Sequence, residues 1–506
     1  MTLFTPRPRA ARRRVPSLVD VVLDPAQKAA VERPAGRPLL VLGEAGVGKT
    51  TVALHRLAHL WRTSPPGSPL RAAVVVPTDG LVRLLQPALR KLGVDVEVLT
   101  YDRWAAAQAR RAFRRLPRES DLTPPSVMAL KRHPALRPVL EELAARPPGR
   151  IDDDVDAPAR PSRARVTRGD LQHLFGDRVL LERVARAGGL SSRSVIDTLD
   201  RTRIQFSLTA EQEWAHVTDR ERLVAVDHRG LDEGTVTGNA GTMDVEDYAV
   251  LFELERLRST RVGHAGVVKP TYDLLMLDEA QELAPLELAL LGRTMKPGGT
   301  LVVAGDAHQQ TDETATFLGW DAAMRELGCP EHETVELAIG YRCPPDVVAL
   351  AHAILEPARD VAAANATPLH SFPDERALVA WLAPGLRELR RRDPRASIAV
   401  VCRHPRTARR LTPMLQAAEI PSRVVFDGRF LARGPVQVSI VEEVKGLEFD
   451  FVVVPDAGAR EYPDDAAARR AMYVAVTRAR CGVAMACVGQ GTRVLPGASR
   501  NVIAST

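Results

Sequence analysis

The chain has 506 residues, too many for one hydrophobic core, so two or three domains are expected. With 45% apolar and 26% charged residues it has the composition of an ordinary soluble globular protein. A formal charge of +6 leans towards a polyanionic partner.

The five cysteines (Cys329, Cys343, Cys402, Cys481 and Cys487) form no C-x-x-C pair and no metal-ligand spacing. They are expected to be buried small hydrophobes in a reducing cytoplasm. No apolar run approaches the length of a membrane span. Asp20 and Asp24 interrupt the only candidate for a secretory apolar segment, so secretion is not expected.

Residues 1–14 carry Arg7, Arg9, Arg12, Arg13 and Arg14 without an acid and read as a basic disordered tail. Asp24 can N-cap a short helix with Pro25 in its first position. Gln27 on that helix offers the paired donor and acceptor that suit an adenine edge. Next comes the stretch around which the chain is organised, Gly43 to Thr50, reading GEAGVGKT between an apolar run and a helical pattern. Strand, glycine-rich loop and helix form the context of a P-loop. Gly43, Gly46 and Gly48 let backbone N–H groups converge on phosphate oxygens, Lys49 reaches the outer phosphates, Thr50 holds Mg²⁺, and Thr51 continues the loop into the helix. ATP and Mg²⁺ are the expected ligands; the guanine-reading N/T-K-x-D motif is absent.

Residues 72–78 predict a buried parallel strand, and 94–100 another. Ligands of open α/β sheets gather at the C-terminal ends of strands, so Thr78, Tyr101 and Trp104 are candidates for contact with nucleic acid. From 105 to 240 helical stretches alternate with proline-rich breaks, which predicts a mostly helical insertion. Between 105 and 168, 14 Lys and Arg stand against 8 Asp and Glu, the acids including the cluster Asp152, Asp153, Asp154 and Asp156. Solvated helix faces and a nucleic-acid or protein contact are both open readings of that basic half.

The sheet resumes at 272–277, and Asp278-Glu279 follows at the strand end. Asp278 is placed to bind Mg²⁺ through water, and Glu279 to orient and deprotonate the attacking water. A strand at 300–304 ends in Gly305-Asp306-Ala307-His308-Gln309. From about 336 strands and helices alternate again, predicting a second doubly wound α/β domain.

Taken in this order, the motifs resemble the superfamily 1A helicases of the UvrD/Rep type, and in style the HelD-type branch among them. The resemblance covers roughly 20–104 and 241–490. It implies two RecA-like P-loop domains: a first over 15–104 and 241–335, carrying the 105–240 insertion, and a second over 336–506. It also implies a bacterial cytoplasmic ATPase, with single-stranded or partly duplex DNA as partner, no membrane association and a monomeric state. Gln27 matches the adenine-reading glutamine, Glu279 the catalytic base, Gln281 the coupling glutamine, and Gln309 the γ-phosphate sensor. Arg342 and Arg478 match the two arginines that the second domain offers to the γ-phosphate. Glu448 matches a ribose contact.

Three departures stand out. Ile440 and Glu442 occupy places where the family carries Thr and His, and Glu442-Glu443 would repel a phosphate backbone. Stacking aromatics are missing directly after Gln309, leaving Phe317 and Trp320 as substitutes. Only 33 residues separate Cys402 from Val436, too few for the large 2B insertion. Two functions follow from the resemblance: an ATP-dependent single-stranded DNA translocase or helicase, or a HelD-like ATP-switched factor that remodels RNA polymerase or another protein.

Overall fold

The computed structural model describes residues 18–64, 70–113, 116–120, 122–146, 166–219, 224, 231–233, 235–340, 343–356 and 368–495. The arginine-rich start, the acidic cluster at 152–156 and Arg342 lie outside the described residues.

The first half has eight strands, most of them built on apolar runs of Val and Leu: β1 (Leu39–Gly43), β2 (Ala72–Val76), β3 (Val98–Thr100), β4 (Arg118–Glu119), β5 (Thr242–Met243), β6 (Tyr272–Asp278), β7 (Met295–Gly305) and β8 (Glu333–Leu337). Six form one parallel sheet in the order β3-β2-β6-β7-β1-β8. Alternate side chains feed the two faces. Leu39, Val41, Val74, Val76, Met276 and Val302 pack under the helices on one side. Leu40, Val75, Leu275, Leu277, Leu301 and Val303 enter the core on the other.

Register positions the chemistry. Leu42 of β1 pairs with Gly305 of β7, and Ala304 of β7 with Asp278 of β6. Three loops therefore leave the sheet side by side at one level: the glycine loop, Asp306 and its successors, and the Asp278-Glu279 turn.

The insertion is mostly helical, with helices at Pro125–Lys131, Arg137–Ala145, Arg168–Gly176, Arg178–Gly188 and Ser192–Gln205. Its apolar faces merge with the second face of the sheet into a single core. Part of its basic character is internal. Lys131 is buried against Asp244 and Asp247 at 2.8 and 2.6 Å, and Arg201 also reaches Asp244 at 2.8 Å. Buried charges need such partners, and removing one alone is costly.

The second half builds the expected second parallel sheet from β9 (Leu369–Phe372), β10 (Ile398–Cys402), β11 (Ser422–Val424), β12 (Val436–Ile440), β13 (Phe449–Val454) and β14 (Ala479–Val488), ordered β11-β12-β10-β13-β14-β9. Two RecA-like layers are thus present. One helix, Pro405–Ala417, and β11 occupy the span between Cys402 and Val436. The first sheet runs on to Leu337 through β8, two residues past the predicted limit, because β8 pairs with β1. Cys402 and Cys487 are buried and Cys329 and Cys343 partly so, but Cys481 is exposed, which corrects the expectation of five buried thiols. Among the described residues no helix is long and apolar enough to cross a membrane.

Asp456, just after β13, is a buried carboxylate with one satisfied oxygen. Its Oδ2 accepts the Arg403 N–H at 2.9 Å, whereas Oδ1 has no hydrogen-bond partner. Burial pushes the carboxyl up to about 7 from its ordinary 3.8. The folded state therefore holds this proton more tightly than the unfolded chain. The resulting stabilisation is full below the ordinary value and is lost as pH rises through about 7. Asp456→Asn, neutral throughout, is expected to flatten the fall in melting temperature between acid and neutral pH. An unchanged slope in thermal melts would contradict this account.

Candidate nucleotide-hydrolysis site between the two domains

The glycine loop ends at Gly48, which N-caps the helix Lys49–Thr63 from a left-handed φ of 94°. A Cβ there would sit 2.7 Å from Gln27 Nε2. Glycine is thus required both by backbone conformation and by the approach of Gln27. Gln27 is itself fixed: it completes a capping box with Asp24, and its Nε2 donates to the Val47 carbonyl at 2.9 Å. The buried guanidinium of Arg56, on the P-loop helix, donates to the carbonyls of Ala30, Val31, Arg33 and Pro34 at the end of the Gln27 helix. That satisfies a helix C-terminus with a cation and locks the two helices together.

Lys49 is buried, and its ammonium donates to the carbonyls of Gly43 at 2.7 Å and Glu44 at 2.9 Å. It stands 3.9 Å from Asp306. The Thr50 hydroxyl donates to Asp278 Oδ2 at 2.8 Å, and Thr51 is buried in the same helical turn. Gly43 and Gly46 also hold left-handed φ values, 147° and 85°.

Glu279 adopts φ 54°, a strained conformation for a residue with a Cβ. Its carboxylate accepts Gln281 Nε2 at 2.5 Å, and Gln281 Oε1 in turn accepts the Asp306 N–H at 3.3 Å. Asp278 is pushed up to about 7, first by burial and then by the charge of Glu279. A hydroxyl beside two crowded carboxylates is a hard-oxygen set of the kind that suits Mg²⁺, and a cation would relieve their repulsion. These residues fit the metal.

The second domain meets this constellation through the helix Ala466–Thr477. Arg478, at its C-cap and 1% exposed, donates from Nη2 to Gln309 Oε1 at 2.7 Å. Gln309 donates to Asp306 Oδ2 at 2.8 Å. The Tyr473 hydroxyl accepts the Ala45 N–H of the glycine loop at 3.2 Å and lies 3.5 Å from Asp306 Oδ2. Glu44 pairs with His352 across the same boundary at 2.6 Å. Lys49, Asp306, Gln309 and Arg478 are thus joined contact by contact across two domains. Asp306, Tyr473 and His352 had no assigned role in the sequence; Tyr473 could have been suspected only from lying five residues before Arg478.

Other predicted residues fall elsewhere. Glu448, at the start of β13, accepts Arg480 Nε at 2.6 Å within its own domain. Thr78 caps the helix Asp79–Lys91 by accepting the Leu81 N–H at 3.3 Å. Tyr101 and Trp104 are corrections. Both are buried in the first domain's core, and Trp104 Nε1 donates to the Tyr272 hydroxyl at 3.1 Å, so neither offers a face to a base. Trp320 is half-buried, edge-on to Phe317 with ring centroids 4.9 Å apart. It lies over Gly305, where a Cβ would come within 2.2 Å of its ring.

The model of a family described as AAA domain matches residues 27–315, more than half of the chain. That of a family described as UvrD-like helicase C-terminal domain matches residues 435–486. Among solved structures, the C-terminal domain of a possible DNA helicase from Lactobacillus plantarum WCFS1 is 21% identical, with 32% of this chain and 96% of that one covered and a TM-score of 0.27. No curated protein matches the chain significantly.

The geometry assigns separable effects to the two domains. Lys49→Ala is expected to abolish triphosphate binding, read by fluorescent-nucleotide titration. Arg478→Ala should leave binding within a few-fold but lower turnover by about 10³-fold, the range of an arginine acting on transferred phosphate. A turnover loss of only a few-fold would remove Arg478 from that role.

Proposed function

Since the chain belongs to the UvrD/Rep-like helicases, we propose that it hydrolyses ATP in the cleft between its two RecA-like domains and uses the cycle to move along single-stranded DNA. The observation that supports this reading is the hydrogen bond from Arg478 of the second domain to Gln309, because it brings a cation of one domain to the network beside the P-loop of the other.

In this reading Gln27 selects adenine, and Lys49 with the loop N–H groups holds the phosphates. Glu279, held by Gln281, takes the proton of the attacking water. Gln309 senses the γ-phosphate, while Arg478 and Arg342 balance the charge that develops on it. Thr50 and Asp278 would hold Mg²⁺, which supplies charge neutralisation to the phosphates. Glu448, bound to Arg480 within the second domain, is the ribose contact of this reading. Loss of the γ-phosphate releases the arginines and lets the domains part, which is the stroke of a translocase.

A second reading, a HelD-like factor that remodels RNA polymerase or another protein, is favoured by one group of residues. Glu442 is tied to Arg403 at 2.7 Å, and Glu443 is pushed up to about 7 by burial and by the charges of Asp79, Asp427 and Glu442. There the domains touch backbone to backbone: a Cβ on Gly428 would lie 2.4 Å from the Gly80 amide nitrogen. Carboxylates at this junction disfavour a phosphate backbone.

Steady-state ATPase rates with and without single-stranded DNA, at low and moderate salt, separate the two. A translocase is expected to be stimulated strongly, and less so as salt rises. A flat response with hydrolysis intact would overturn the translocase reading in favour of the remodelling factor. Absent hydrolysis would overturn both.

A further inference from the structure

Outside the nucleotide cleft, Arg132 is, among the described residues, a fully satisfied charged group that links separate parts of the fold. It C-caps the insertion helix Pro125–Lys131 and is buried. All five of its N–H donors are used. Nε and Nη2 take the two oxygens of Glu287 at 2.8 and 3.1 Å, and Nη2 also takes the Glu282 carbonyl at 2.9 Å. Nη1 donates to Thr314 Oγ1 at 2.6 Å and to the Asp312 carboxylate. Only arginine can do this, since lysine offers three donors from one point.

The loop thus gripped, 310–314, directly follows Gln309. The Glu282 carboxylate fixes it from below by accepting the N–H groups of Thr311 and Asp312 at 2.9 and 3.0 Å. Glu282 is also bound across the domain boundary by Lys445 at 2.7 Å, with both side chains 5% exposed. From the second domain Arg470 Nε donates to the Gln310 carbonyl at 2.8 Å. Three bodies therefore hold one five-residue segment: the insertion, the first sheet and the second domain.

We infer that Arg132 is a positioning residue through which the helical insertion sets the loop behind Gln309, and so sets the alignment of Gln309 with Arg478. A partner engaging the insertion would shift Arg132, and with it the hydrolysis site, without touching nucleotide. This inference rests on the hydrolase reading above and adds its control element. Rigid hydrogen-bonded contacts of this kind transmit small displacements because their geometry is discrete rather than elastic.

The test uses the full chain with Asp312→Asn and Thr314→Val combined, which weakens the link to the loop and leaves Arg132 on Glu287 and Glu282. The expected result is a kcat lowered about 10- to 100-fold, the scale of a misplacement of about 1 Å, with KM for ATP within about threefold. Arg132→Lys should show the same split. Hydrogen exchange with a non-hydrolysable ATP analogue supplies the second readout. Nucleotide should alter protection at 125–132 in the wild type, and the double variant should lose that response. A folded double variant with wild-type kcat, or an equal exchange response in both proteins, would overturn the inference. If the wild type binds the analogue yet never turns ATP over, the hydrolase reading fails alone and the exchange response still decides the role of Arg132.

Discussion

Among the contacts that fix the two halves of the molecule against each other, the hydrogen bond from Arg478 to Gln309 joins a buried cation to the network beside the glycine loop. The guanidinium is almost wholly buried and is held on its own side by the Val474 carbonyl and the Thr477 hydroxyl. A charge in that position needs partners in both domains, because an unpaired one would cost several kcal/mol. The halves consequently cannot shift by more than a fraction of an ångström without this bond breaking or following. Gln309 passes the constraint to Asp306, and Asp306 stands beside Lys49. Sheet position and phosphate-loop chemistry are in this way the same variable.

That coupling depends on register within the first sheet. Because β7 lies between β1 and β6, the Asp306 turn lies between the glycine loop and the Asp278-Glu279 turn. A slip of one residue in β7 would invert its faces, sending Val303 out of one core and Val302 out of the other. Burial on both faces thus protects the spacing of these three loops as well as stability.

The part of the site that phosphate chemistry dictates was legible from residue order. Eight residues from Gly43 to Thr50 can serve few purposes other than cradling phosphates, and an Asp-Glu pair at a strand end is restricted almost as tightly. The two parallel sheets were equally legible, since apolar runs between turns have few alternatives. Burial at strand ends was not. Tyr101 and Trp104 stand three apart on the helix Tyr101–Ala112, so they share a face, and that face turns inward where Tyr272 satisfies the indole. Nothing local distinguishes that outcome from an exposed pair. Arg132 was invisible for a different reason: Glu287 and Asp312 are 155 and 180 residues away in the chain, and only tertiary packing brings them to it.

The charge balance bears on what the protein meets outside the cleft. The excess of basic residues reads as an attraction to polyanions, and it lies outside the buried pairs of Lys131, Arg132, Arg201 and Arg258, each of which is matched by a carboxylate. Meanwhile the junction where the helix Asp79–Lys91 meets residues 428 and 443–447 gathers Asp79, Asp427, Glu442 and Glu443. The cleft is assembled from groups aimed at phosphates, whereas this junction is assembled from groups that avoid them. In the proposed cycle, closure of the cleft needs only the first set. In that cycle the second set and the insertion face whatever the protein acts upon, and Arg132 ties the insertion to the loop behind Gln309.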